Sequence, residues 1–209
     1  MSVQYEVTEQ LSSLKNLIIN KIELESAQFQ SIFDDLQTKV MLTCFKEGGM
    51  VAPSGIGGYA FSEDSVEIYI DDSRDDIERI IEKDLMFVIG HELNHSLRFK
   101  CYGRGERLGD TIIDEGLACY FEYLLAGKKQ PDFLTCSIPW LDIYDKVKSS
   151  WDTKDFSYPL FYFGEFPEFL PRYASYIVGF HLVKGYLESN DLSLVDVMTY
   201  DSERFLESV

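Results

Sequence analysis

Two of the three histidines in this chain stand four residues apart with a glutamate between them, in His91-Glu92-Leu93-Asn94-His95. On a helix, residues at that spacing lie one turn apart on one face. Both imidazoles can then reach one ion, while Glu92, about 100° round the axis, reaches a water beside it. The preceding run from Leu85 to Ile89 is wholly apolar and Leu93 continues it, so the segment is expected to be a helix with one face in the core. A buried pair of imidazoles needs partners, and zinc is the partner that this pattern suits.

Two ligands are too few, because catalytic zinc takes three protein ligands and one exchangeable water. If the chain reverses at Gly103, the level of the metal lies about ten residues before the turn, and about eleven residues after it comes Glu115. An antiparallel helical hairpin would set Glu115 beside His91 and His95, with Gly116 letting the two helices approach closely. Asp114 is the rival by position, though it is a shorter carboxylate rotated by about 100° from Glu115.

The rest of the chain supplies the frame. From Gln10 to Lys46 apolar residues recur at helical spacing, which predicts two amphipathic helices ended by Lys46-Glu47-Gly48-Gly49. Pro53-Ser54-Gly55-Ile56-Gly57-Gly58 reads as a loop. It lacks the Lys-Ser or Lys-Thr of a phosphate loop, so it suits a turn or site rim rather than a nucleotide cradle. In Ser65–Asp71, Val66, Ile68 and Ile70 alternate with Glu67 and Tyr69, the pattern of an amphipathic strand. Helices are expected from the Asp71–Asp76 caps to about Lys100, over Glu106–Ala126, over Leu141–Ser149 and over Arg172–Glu188, followed by an acidic tail of marginal order. Residues 131–171 are aromatic and irregular and are expected to cover part of the core, and the aromatic residues between Phe156 and Phe169 could line a substrate cleft, the plain alternative being core.

At this level the sequence resembles a known class. His91, Glu92, His95 and a glutamate twenty positions on, Glu115, are similar to the gluzincin metallopeptidases, the thermolysin-like group. Glu115-Gly116-Leu117-Ala118, the Gly-rich loop before the Val66 strand, and Tyr176-Ile177-Val178-Gly179-Phe180 together resemble a family of predicted zinc-dependent proteases classed as a domain of unknown function. The resemblance runs from about Gly55 to Leu187. It implies zinc on His91, His95 and Glu115, with Glu92 as general base. One position departs: thermolysin-like enzymes brace a zinc histidine with an Asp four residues after the Glu ligand, where this chain has Cys119. The brace would then come from Asp110, Asp114 or a backbone carbonyl, and Cys119 reads as a structural thiol.

Peptide hydrolysis also calls for a donor to the developing oxyanion. Tyr173, Tyr176 and His181 are the candidates, and Tyr176 matches the family's Tyr-to-Gly motif; each could equally be a core residue. Gluzincin-like enzymes bind extended substrates along a sheet edge, which makes Val66, Ile68 and Tyr69 a candidate substrate strand, the plain alternative being a core strand.

Charge sets the partners. The formal net charge is −17, which opposes binding to nucleic acid or an anionic membrane and favours cationic peptides. No apolar run approaches the roughly 20 residues of a membrane span. The N-terminus lacks a secretory pattern, and the four cysteines, widely spaced and without a CxxC pair, read as free thiols in a reducing, cytoplasmic compartment.

Together these readings predict an α+β, mostly helical zincin-like domain with a small antiparallel or mixed sheet and an active-site helix hairpin. It forms one domain over 1–209, with N-terminal helices over 1–50, the strand and two site helices over 51–130, and a mostly helical C-terminal lobe over 131–209. The expected function is a zinc-dependent metallopeptidase acting on a peptide or protein substrate. The alternatives are a zinc hydrolase of another amide or ester, and a zincin-fold binding or regulatory protein without turnover.

Overall fold

A computed structural model describes residues 3–33, 36–45 and 55–209. The chain divides into two compact units, Met1–Lys100 and Cys101–Val209. The class is α+β, with a small mixed sheet in the first unit and helices in both.

The first unit contains β1 (Gln4–Val7), α1 (Lys15–Glu25), a short α2 (Gln30–Phe33), β2 (Lys39–Cys44), β3 (Ile56–Ser62), β4 (Ser65–Ile70) and α3 (Ile77–Cys101). Sheet order is β1-β2-β4-β3. β1 and β4 both run parallel to β2, and β3 pairs antiparallel with β4. Register aligns Val40 with Val66 and Leu42 with Ile68, while Ile56 faces Ile70 and Ala60 faces Val66. These side chains share one face and are 0–3% exposed. Removing each larger aliphatic side chain from water contributes about 1.5–3 kcal/mol, so the sheet has a single register that keeps this face inside.

Three expectations need correcting here. Val40 and Leu42 belong to a strand rather than a second long helix: they alternate with Lys39, Met41 and Thr43 at a period of two, and their burial against β4 overrides the helical spacing of the wider segment. Ile56, Gly57 and Gly58 are not loop, because they pair with Ile70, Tyr69 and Ile68. β4 is no sheet edge either. With β2 on one side and β3 on the other its main chain is occupied, and Val66 and Ile68 are core. Lys46–Gly49 and Pro53–Ser54 lie outside the described residues.

The second unit contains α4 (Leu108–Leu125), α5 (Trp140–Val147), a π-helical turn at Pro159–Phe163, and α6 (Ala174–Asn190). Its centre is the contact of α4 with α6. A Cβ placed on Gly116 would lie 2.3 Å from the Gly179 carbonyl carbon, and one placed on Gly179 would lie 2.0 Å from the Ile112 oxygen. The two backbones touch, as only glycine allows. The sequence reading assigns Gly116's missing side chain to the helix bearing the histidines, whereas the backbone that fills this space is α6's. The tail after α6 is not marginal: Leu194, Val197, Met198 and Phe205 are buried, and Arg204 donates to the Tyr186 hydroxyl at 2.8 Å.

Because backbone cannot swing aside as a side chain can, Gly116→Ala and Gly179→Ala should each destabilise the chain by about 3 kcal/mol. Urea denaturation followed by circular dichroism measures this, and an unchanged midpoint would mean that the helices do not meet at these residues.

Candidate metal centre

In the first unit α3 carries the two histidines. Its inner face runs through Ile77, Ile81, Leu85, Ile89 and Leu93, all buried, and Ser96 Oγ donates to the Ser62 carbonyl of β3 at 3.1 Å. The helix therefore has one rotational setting. In that setting His91 and His95 are half-buried, with ring centroids 4.9 Å apart, and Phe99 stacks on His95 at 6.2 Å. Glu92, turned further inward, is only 7% exposed. Its side chain lies over Gly58 of β3, where an added Cβ would come within 2.4 Å of Cγ and 2.9 Å of Oε1. The first unit thus brings His91, Glu92 and His95 together on one helix and sets Glu92 against an edge strand.

Val66 and Ile68 point into the core and reach no open surface. Tyr69 lies on the opposite face of the strand and donates to Glu67 Oε2 at 2.6 Å. Burial, this bond, and the charges of Glu67 and Glu92 push its phenol up to about 12, so it remains a neutral donor through the physiological range.

In the second unit Glu115 is half-buried on α4, immediately before the Gly116 contact, and Asp114 is 6% exposed. Cys119 is fully buried; burial first, then the carboxylates of Glu122 and Glu115, hold its thiol well above the usual range and keep it protonated. Tyr176, half-buried on α6, has its ring centroid 5.6 Å from that of Tyr162, 5.7 Å from Tyr173 and 6.1 Å from Phe133. Tyr162 is fully buried and donates to Thr111 Oγ1 at 2.6 Å; burial, then the nearby Tyr158 and Glu115, raise its phenol far above the ordinary value. Of the three oxyanion candidates, Tyr173 and Tyr176 therefore join the cluster containing Tyr162, the tyrosine that feels the charge of Glu115. His181 instead stacks on Trp140 at 5.2 Å, and burial and then Lys184 lower its pKa. Tyr173 takes a left-handed backbone, φ 65°, at the start of α6, which is uncommon for so bulky a residue.

Asp110 is occupied as a helix cap. Its carboxylate accepts the Arg107 backbone N–H at 3.1 Å, the Arg107 guanidinium at 2.9 Å and the Ser202 hydroxyl at 2.6 Å. It locks the start of the helix bearing Glu115 and is not available as a brace for a histidine. The sequence places Gly58 on a turn or site rim but not under Glu92, and it does not single out Tyr162. A glycine inside a strand pattern is the one local signal for a close approach, and nothing local marks Tyr162 out from the aromatic residues around it.

Residues 18–207 match the model of a family described as Predicted Zn-dependent protease (DUF2268). Uncharacterized protein YjaZ of Bacillus subtilis (strain 168) is 32% identical over 128 residues, covering 57% of this chain and 48% of that protein. The chain thus spans about half the length of the curated relative it matches. No solved structure matches it. Among the described residues, no helix is long and apolar enough to cross a membrane.

Burial alone would raise the Asp110 carboxyl, but the bonds from Arg107 and Ser202 and the Arg107 charge outweigh burial and hold it below the ordinary 3.8. A lowered folded pKa stabilises the fold fully above the unfolded value, and the contribution fades as pH falls through the folded one. Asp110→Asn should cost about 2 kcal/mol at neutral pH and flatten the loss of stability below pH 3.8. Denaturation midpoints of both proteins across acidic pH test this; parallel curves would show that Asp110 is not the titrating group.

Proposed function

Because the chain belongs to the DUF2268 family of predicted zinc-dependent proteases, we propose that it is a zinc-dependent hydrolase cleaving peptide bonds, with His91, His95 and Glu115 holding the metal and Glu92 acting as general base. The observation that carries the proposal is the helix turn with two imidazoles 4.9 Å apart and a buried glutamate between them. The donors suit the ion: two neutral imidazole nitrogens and one carboxylate oxygen are a zinc set, and three ligands leave a fourth position for water. When bound, zinc lowers the pKa of its water to about 7 and polarises the carbonyl to be cleaved.

The chain's own residues do the rest. Glu92 takes a proton from the water as its oxygen bonds to the carbonyl carbon, and returns it to the amine nitrogen as the C–N bond breaks. Tyr176 donates to the developing oxyanion, and its ring contacts with Tyr162 and Tyr173 fix its direction. The substrate pairs with β3 rather than β4, since β3 is at one end of the sheet order among the described residues and lies beside Glu92. Free cysteines at 44, 101, 119 and 136 support a reducing, cytoplasmic setting.

Purified protein should contain zinc and cleave peptides in a quenched-fluorescence library. A chelator should abolish cleavage and added zinc should restore it. Glu92→Gln should lower kcat by about 10²–10⁴-fold with zinc still bound. Absence of zinc binding at micromolar concentration would overturn the proposal. Bound zinc without turnover would point to a binding protein, and turnover of esters or small amides alone to another hydrolase.

A further inference from the structure

Gly58 is a glycine without a backbone reason to be one. The glycines with left-handed φ are Gly55, Gly103, Gly127 and Gly164, and Gly58 is not among them. It sits mid-strand in β3, in register with Ile68, where a residue with a side chain would ordinarily strengthen the sheet. Two positions along, Ala60 is on the same face, carries a Cβ and is 3% exposed. Side chains are therefore tolerated on this face, and what differs at Gly58 is Glu92. An added Cβ there would lie 2.4 Å from Glu92 Cγ, 2.9 Å from Cδ and 2.9 Å from Oε1. Cγ is one bond from the helix-anchored Cβ, so the clash could not be relieved by turning the carboxylate alone. The whole side chain would have to leave its rotamer.

From this geometry we infer that Gly58 is a positioning residue for Glu92: the bare main chain of the edge strand is the surface that sets where the carboxylate rests. α3 cannot yield to make room, because its inner face is buried and Ser96 is bonded to Ser62 one turn further along. Nor does β3 have freedom to withdraw, since it is paired with β4 on both sides of position 58. An alanine at 58 must therefore displace Glu92. The consequence for turnover rests on Glu92 being the general base; the placement itself does not.

The experiment is a double-mutant cycle of Gly58→Ala and Glu92→Ala in the full chain, read first by denaturant midpoint and then, for the Gly58→Ala and wild-type proteins, by kinetics. Gly58→Ala alone should lower the midpoint, and in the Glu92→Ala background the same substitution should cost little or nothing, because its methyl group enters vacated space. With peptide substrate, Gly58→Ala should lower kcat at least tenfold with KM within twofold of wild type and zinc content unchanged. A cost equal in both backgrounds would overturn the inference; a cost confined to the Glu92 background together with an unchanged kcat would support the placement and overturn Glu92's role as general base. If Gly58→Ala does not fold, the double variant should; its failure to do so would equally overturn the inference. Should the wild type cleave no peptide, the proposed function fails while the midpoint cycle still decides the placement of Glu92.

Discussion

A helix whose inner face is buried from Ile77 to Leu97, and whose Ser96 is bonded to the neighbouring strand, has one rotational setting about its own axis. The chemistry of the first unit depends on that constraint. It presents two imidazoles one turn apart at half-buried positions and sends the residue after the first of them inward. Were the helix free to roll, Glu92 would leave the main chain of Gly58 and move to solvent. Rigid support is what holds the five-residue pattern as a fixed constellation of groups.

The second unit relies on close contact in a different way. Glu115 adjoins Gly116, and Tyr176 precedes Gly179 by less than one turn, so the touching backbones of α4 and α6 fix the spacing between these two side chains. Tyr162, buried and hydrogen-bonded to Thr111, fills the neighbouring space. The Arg107–Asp110–Ser202 cluster secures the start of α4, tying its first turn to the C-terminal segment. Two motifs that look like chemistry on paper, Glu-Gly-Leu-Ala and Tyr-to-Gly, each combine one functional candidate with one packing glycine.

The sequence disclosed the long helices, whose apolar period and caps are local, and the strand β4, whose alternation is strict. It hid β1, whose four residues Gln4–Val7 are at most half-buried and give too short a pattern to read, and β2, because a period of two over six residues is lost within a longer stretch that also satisfies helical spacing. β3 was hidden for a different reason. Ile56-Gly57-Gly58 is a loop by composition, and only pairing with Ile70 and Ile68, together with the approach of Glu92, explains why glycine belongs in a strand there. The partner of Gly116 and the burial of Phe205 depend on which helices meet, and no periodicity carries that information. The histidine motif was legible because both of its ligands come from one helix turn.

X-ray absorption at the zinc edge on the purified protein tests the central claim most directly. The account predicts a four-atom shell of nitrogen and oxygen at about 2.0–2.1 Å, with the outer scattering of two imidazoles. A sulfur neighbour near 2.3 Å, the distance of a zinc thiolate, or a sample that takes up no zinc, would contradict it.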